Sequence, residues 1–485
     1  MPSKYNGYEF YRDVLGSPKF MLAPMVDQSE LAFRMLSRKY GADLCYTPMW
    51  HAGVFVRDAN YRKDALDSCQ EDRPLIVQLC ANDPETFTEA ALLAQPYCDA
   101  VDLNLGCPQI IARRGHYGAF LQDEWELLHK MVSLASEKLS IPLTVKIRVY
   151  EDVNKTVEYA KMLEKAGAKI ITVHGRTRDQ KGPLTGLASW DHIKAVKENV
   201  SVPVFANGNI QYGSDVQKCI DYTGVDGVMS AEGSLTNPAI FRNLNPPVWE
   251  ISEEYMEFAE KYSPPATFTY HTRCPHLSYI RGHLFRIWFH VLAKFPDYRY
   301  KLGIVKSFEE MKKIGQDLKK LCSKDAETDI QEGRDSTEPG KIPYWRCQPY
   351  VRPPPKPQEN NKKSQIDAEN SHKNENRENK IKRIPSFKAV KRQERQLKRI
   401  KTKTTAKYIF CIVCKGNPRG LKCLHSSCRK CCKTKTSTEI LDCPAHCFRF
   451  KSNQEERKRK VEPQAQEKSS SSQAEETIPV EQLAK

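Results

Sequence analysis

The sequence predicts an α/β protein built on a closed parallel sheet, on three observations. Eight short apolar runs recur through the first half of the chain, most closed by Pro, Gly or a polar residue. Segments with helical spacing separate most of them, and strand–helix alternation argues for parallel pairing. Eight is also the closure number of a (β/α)8 TIM barrel, and the unit spans about 240 residues against a typical size of about 250. The other arrangement this alternation allows is an open doubly wound sheet. That fold carries a glycine-rich first turn, and no G-x-G-x-x-G occurs here.

Lys19 to Ala23 is the first strand, closed by Pro24, and Asp43 to Thr47 the second, closed by Pro48. Between them Ser29 to Tyr40 has helical spacing and stops at Gly41. Pro74 to Cys80 is the third strand, followed by a helix from Pro84 to Ala94 that Asp83 caps. Residues 99–103 form the fourth strand, and a long amphipathic helix runs from Asp123 to Leu139. The fifth strand is Pro142 to Arg148 and the sixth Lys169 to His174, with a helix from Lys155 to Ala166 between them. A helix from Trp190 to Asn199 leads to the seventh strand, Val202 to Ala206, and one from Ser214 to Tyr222 to the eighth, Val225 to Ser230. Helical spacing continues over Glu250 to Tyr262, Leu277 to Phe295 and Val305 to Cys322, with a loop from Ser263 to Pro275.

A barrel puts its chemistry at the carboxyl ends of the strands. Those positions hold Pro24 and Met25, Gln78, Asn104 with Cys107, Lys146, His174, Asn207-Gly208-Asn209 and Ala231-Glu232-Gly233. One polar residue at a strand end is ordinary surface; six strand ends sharing the pattern mark a site. Cys107 lies on a turn, since Pro108 removes a backbone donor and stops the strand. The glycine-containing turns after the seventh and eighth strands suit a phosphate, which such loops cradle with backbone N–H groups. Lys146 and His174 are read as two cationic donors to an electron-rich ring, and the amide of Gln78 suits a heterocycle edge. Together these features describe a flavin mononucleotide (FMN) site.

Ala23-Pro-Met25, the turn Leu103-Asn-Leu-Gly-Cys-Pro-Gln109, Val145-Lys-Ile-Arg148, Val173-His-Gly-Arg-Thr-Arg178 and Phe205-Ala-Asn-Gly-Asn209 resemble the tRNA-dihydrouridine synthases. The resemblance covers residues 15–330, and Met25 to Ser29 with Ser230 to Gly233 is most similar to the eukaryotic branch acting at tRNA uridines 16 and 17. It implies that NADPH or NADH reduces a bound FMN, that hydride passes to C6 of a uridine, and that Cys107 protonates C5. It also implies flavin contacts from Ala23, Pro24 and Met25, Gln78, Lys146, His174, Asn207, Gly208, Asn209, Ala231 and Glu232. Bacterial relatives carry Gly-Arg where this chain has Ala231-Glu232, so Glu232 is expected to turn its carboxylate away and offer its N–H. Arg113, Arg114, Arg176 and Arg178 are expected to rim the mouth and meet RNA phosphates. Two other readings are a flavin-dependent reductase of a free pyrimidine-like molecule and a catalytically silent tRNA-binding protein.

The net charge is +16, and it is uneven: residues 380–407 hold twelve Lys and Arg against the single acid Glu394. Such a run favours phosphate backbones or serves as a nuclear-import signal. No apolar run approaches the length of a membrane span, and the first 20 residues lack a signal-peptide core. The expectation is a cytoplasmic or nuclear protein with reduced thiols. Eight of the 17 cysteines then need another role: Cys411, Cys414, Cys423, Cys428, Cys431, Cys432, Cys443 and Cys447 cluster at zinc-ligand spacing. Which four, or which two sets of four, bind is open at this level, and His425 and His446 are further candidates. The expected organisation is a barrel over 15–245, a tRNA-binding helical domain over 246–325, a disordered linker ending in the basic run over 326–407, a zinc-type module over 408–450 and a disordered tail over 451–485. The module's position beside the basic run suggests auxiliary RNA binding, and a protein-interaction module is the other reading.

Overall fold

The computed structural model describes residues 5–262, 275–350, 411–414, 423–446, 448–452 and 454–455. The chain divides into two compact units, Met1–His372 and Lys373–Lys485. In the first, eight parallel strands form a closed barrel: β1 (Phe20–Leu22), β2 (Leu44–Tyr46), β3 (Leu75–Cys80), β4 (Ala100–Leu105), β5 (Leu143–Arg148), β6 (Ile170–His174), β7 (Val204–Asn207) and β8 (Gly227–Ser230). Each pairs with the next, and β8 returns to β1 with Met229 beside Met21. After Pro48 a two-residue strand, Trp50–His51, resumes along the carboxyl end of β3. The predicted barrel is the observed one.

Side chains alternate along each strand, so one set fills the cylinder and the other meets the helices. The inward set changes character along the barrel axis. Near the amino ends it is apolar: Met21, Leu44, Ile76, Ala100, Ile170 and Phe205 form one buried cluster with Phe10 and Tyr11. Phe10 and Tyr11 come from a helical turn at residues 7–14 that plugs this end, where the Tyr11 hydroxyl donates to the Asp226 carbonyl at 3.0 Å. Two residues further on the same faces become polar. The register sets Gln78 beside Asp102, Asn104 beside Lys146, Arg148 beside His174, and His174 beside Asn207. Parallel pairing therefore gathers residues from five strands at one end.

The outward set packs on the surrounding helices, all six of which appear at the expected places. Helices at Ala52–Arg57, Ala59–Ala65 and Ile110–Gly115 are additional; they are too short for a periodic pattern to show. The helical region comprises Val248–Tyr262, Pro275–Ile287, Phe289–Lys294, Pro296–Ile304 and Phe308–Gln331. The expected helix over 277–295 is thus broken at Trp288, whose buried ring meets Gly315 of the last helix. The expected loop over 263–275 lies outside the described residues except for Pro275, which starts a helix.

The linker expected from residue 326 is not one over its first 25 residues. The last helix continues to Gln331, and Trp345 and Cys347 are buried. Trp345 stacks on Trp249 with ring centroids 5.9 Å apart, and its Nε1 donates to Asp329 at 2.9 Å. A composition poor in apolar residues hid this, because two well-placed aromatic groups anchor the segment. The basic run lies outside the described residues, as does nearly all of the expected tail.

In the second unit the described residues form a helix, Arg429–Thr438, and a short antiparallel pair, Asp442–Cys443 with Phe448–Arg449. No helix among the described residues is long and apolar enough to cross a membrane.

Candidate active site

A cavity of about 450 Å³ opens at the carboxyl ends of the strands. Its wall includes Met25, Arg148, His174, Arg176, Asn207 to Asn209 and Ala231 to Gly233. Pro108 and Gln109, the residues after Cys107, complete that side.

Beneath the Cys107 turn runs a buried polar chain. Thr144 donates to Asp102 at 2.6 Å, and Gln78 Nε2 donates to the other oxygen at 2.8 Å. Asn104 Nδ2 donates to Gln78 Oε1 at 2.9 Å, and Asn104 Oδ1 accepts from the N–H groups of Gly106 and Cys107. Burial lifts the Asp102 carboxyl to about 6, against the pull of the Thr144 and Gln78 hydrogen bonds and the Lys146 charge. The chain ends on the backbone N–H of Cys107, so the strand interior orients the turn. The carbonyl of Cys107 accepts from Ala119 at 3.1 Å. Gly118 (φ +66°) passes so close that a Cβ there would meet the Cys107 carbonyl at 2.8 Å. Burial raises the Cys107 thiol, while Arg148 and Lys146 partly oppose it.

Beside the Cys107 turn cationic groups crowd together. Lys146 Nζ donates to Asn207 Oδ1 at 2.9 Å. Burial, then repulsion from Arg148, pushes Lys146 down to about 8. The Arg148 guanidinium donates to the carbonyls of Gly106, Thr177 and Gln180, tying the Cys107 turn to the loop after β6. Arg176 Nη1 lies 3.0 Å from His174 Nε2. A guanidinium can only donate, so His174 Nε2 accepts and its proton sits on Nδ1. Burial, with Lys146, Arg148 and Arg176 nearby, holds His174 well below its ordinary value. His174 is therefore neutral, which corrects the reading of two cationic donors.

A family model described as Dihydrouridine synthase (Dus) matches residues 21–332. The chain belongs to the dihydrouridine synthase family. It is 50% identical over 454 residues to a Mus musculus protein named tRNA-dihydrouridine(16/17) synthase (NAD(P)(+))-like, covering 93% of this chain and 92% of that one. A Rattus norvegicus protein of the same name is 51% identical over 448 residues, covering 92% and 99%. The tRNA-dihydrouridine(16/17) synthase (NAD(P)(+)) of Schizosaccharomyces pombe is 44% identical over 372 residues, covering 72% and 92%. The chain is an oxidoreductase of this family.

Within this dihydrouridine synthase the expected residues fall into three groups. Met25, His174, Arg176, Asn207, Gly208, Asn209, Ala231 and Glu232 line the cavity together. Lys146 reaches it through Asn207. Gln78 does not line it: the side chain is fully buried between Asp102 and Asn104. Ala23 is buried in the barrel and Pro24 adjoins Met25, neither in the cavity wall. Glu232 is one of the residues that line the cavity. It lies in the wall, 3.9 Å from Arg286 Nη1, so a guanidinium faces its charge. Arg113 and Arg114 are exposed on the helix after the Cys107 turn. Arg178 pairs with Asp123 at 3.0 Å, while Arg176 is held by the carbonyls of Thr185 and Gly186 and by Asn209.

Arg148 and Arg286 are among the site residues that the sequence reading missed. Arg148 ends β5 two positions after Lys146, and that period-2 spacing was the available signal. Arg286 comes from the helical region, and nothing local to it points to a barrel cavity.

Proposed function

We propose that this chain reduces a D-loop uridine of tRNA, at position 16 or 17, to 5,6-dihydrouridine, with FMN as bound cofactor and NADPH or NADH as reductant. The names of its relatives support the substrate and the position. The observation that carries the chemistry is the Cys107 turn lying beside a cavity walled by Arg148, Arg176 and neutral His174.

The residues present fit FMN. Burial and then the Arg148 charge push Lys146 down, burial and then the Arg176 charge push Arg148 down, and an anionic, electron-rich occupant relieves the repulsion between these neighbours. Gly208 (φ +115°) and Asn209 (φ +62°) turn the backbone after β7. A Cβ at Gly208 would press on Ala188 and the His174 ring, so a side chain cannot fill this cradle. Asn207 to Asn209 with Ala231 and Glu232 would hold the phosphate end, and Lys146 and His174 Nδ1–H the ring edge. Bound there, FMN supplies the hydride that NAD(P)H gives up and that C6 of the uracil receives.

Cys107 delivers the proton from Sγ to C5. Burial keeps the thiol protonated at neutral pH, the form a general acid needs. Arg148 and Lys146 stabilise the thiolate left behind. Arg113 and Arg114 would meet backbone phosphates while the target base is extruded toward the flavin.

The test is anaerobic spectroscopy of the purified protein. NADPH should bleach a flavin spectrum, and unmodified tRNA, unlike free uridine, should restore it. Restoration by free pyrimidines instead would move the reading to a small-molecule reductase. A flavin-free protein that binds tRNA would leave a binding role only.

A further inference from the structure

The second unit contains two groups of four metal-binding side chains. The ligand atoms of Cys411, Cys414, Cys428 and Cys431 all lie within 4.8 Å of one another, and so do those of Cys423, Cys432, Cys443 and His446. None of the described cysteines is in a disulfide. The separations fit one ion in each group. A tetrahedral site with Zn–S bonds of about 2.3 Å has S···S edges of about 3.8 Å. Cys414 Sγ and Cys428 Sγ are 3.8 Å apart, and Cys443 Sγ and Cys423 Sγ 4.0 Å. Cys443 Sγ and His446 Nδ1 are 3.7 Å apart, in keeping with a shorter Zn–N bond.

We propose that this module binds two zinc ions, one held by four thiolates (Cys411, Cys414, Cys428, Cys431) and one by three thiolates and an imidazole (Cys423, Cys432, Cys443, His446). The match to the family ends at residue 332, so these sites lie outside it. The helix Arg429–Thr438 sorts the ligands. Cys428 is its N-cap and Cys431 stands three residues on, a spacing that puts both side chains on one face. Cys432 follows at the next position, turned about 100° around the axis, and joins the other group. Adjacent residues of one helix thus serve different ions.

The same partition excludes a candidate. His425 Nε2 lies 3.4 Å from the Asp442 carbonyl and joins neither group. Cys447, expected as a ligand, lies outside the described residues, and four ligands are present without it. The ions also supply what the described residues of this unit lack. Among the described residues of this unit, Cys423, Cys432 and Cys443 form a buried cluster with Phe448 against them. Three thiols and one ring are no hydrophobic core, and metal bonds replace it.

The experiment uses the full chain. Metal analysis should give two zinc per chain, and zinc X-ray absorption a shell of seven sulfurs and one imidazole nitrogen shared over two ions. Cys447→Ser and His425→Ala should each keep two zinc. His446→Ala should lose at least one, with the imidazole signal, while flavin content stays unchanged. A single zinc in the unaltered chain, iron in its place, or an all-sulfur shell would overturn the assignment. So would loss of an ion in Cys447→Ser or His425→Ala.

Discussion

Asn104 Oδ1 accepts the N–H of Cys107 at 2.9 Å, so a strand residue holds the backbone of the Cys107 turn. The same side chain is itself fixed by Gln78. Asn104→Ala should leave flavin binding intact and slow flavin reoxidation by tRNA about 10- to 100-fold, the usual cost of a misplaced reacting group. The split between an unchanged cofactor spectrum and a slower single-turnover rate checks it.

Cys107 is the proposed acid, and burial raises its thiol. The protonated form is the active one, so the reoxidation rate should be level through neutral pH. It should fall only above the ordinary thiol range of about 8.5. Cys107→Ala should lose about 100- to 10,000-fold and lack that alkaline limb. Stopped-flow pH profiles of both proteins measure this, and an alkaline limb persisting in the variant would assign it to another group.

Asn207→Asp would set a carboxylate against Lys146 Nζ, where an amide oxygen now accepts at 2.9 Å. The new charge should lift Lys146 from about 8 and neutralise part of the cationic mouth. Flavin affinity should drop about tenfold, or ~1.4 kcal/mol. Flavin release on dilution reads the change.

Gly118→Ala strains a left-handed position and drives a Cβ to 2.8 Å from the Cys107 carbonyl and 3.0 Å from its Cβ. The expected destabilisation is about 1–3 kcal/mol, with activity lost at temperatures where the barrel is still folded. Thermal denaturation followed alongside turnover separates the two effects.

His283 is fully buried, stacks on Phe33 at 4.2 Å and lies 3.0 Å from Glu30 Oε2, joining the helical region to the barrel. Burial alone would raise the Glu30 carboxyl, but His283 and the Tyr255 hydroxyl outweigh it and hold it below its ordinary value. Stability from a depressed carboxyl is present above about pH 4.3 and lost as pH falls through the folded value. His283→Leu should therefore cost about 3 kcal/mol near neutral pH. The deficit should narrow in acid, where protonation relieves the unpaired carboxylate. Urea midpoints at pH 7 and pH 4 decide it.

Much of this was settled by the sequence alone. Strand–helix alternation repeated eight times specifies a closed parallel sheet, because strands buried on both faces leave a local apolar trace and helices leave a periodic one. The strand-end positions of Cys107, Lys146, His174 and Asn207 follow from that fold, and zinc-ligand spacing marks the cysteine module.

The tertiary structure decided what depends on partners distant in the chain. It turned Gln78 into a buried link to Asn104, set neutral His174 against Arg176, and brought Arg286 from the helical region to face Glu232. It packed Trp345 on Trp249 where composition suggested a linker, and it divided seven described cysteines and His446 into two groups. Local periodicity and spacing show which residues lie on a strand or a turn. Which charge or ring stands opposite is set by register and packing between segments up to about 100 residues apart or more, and no window of the sequence contains both partners.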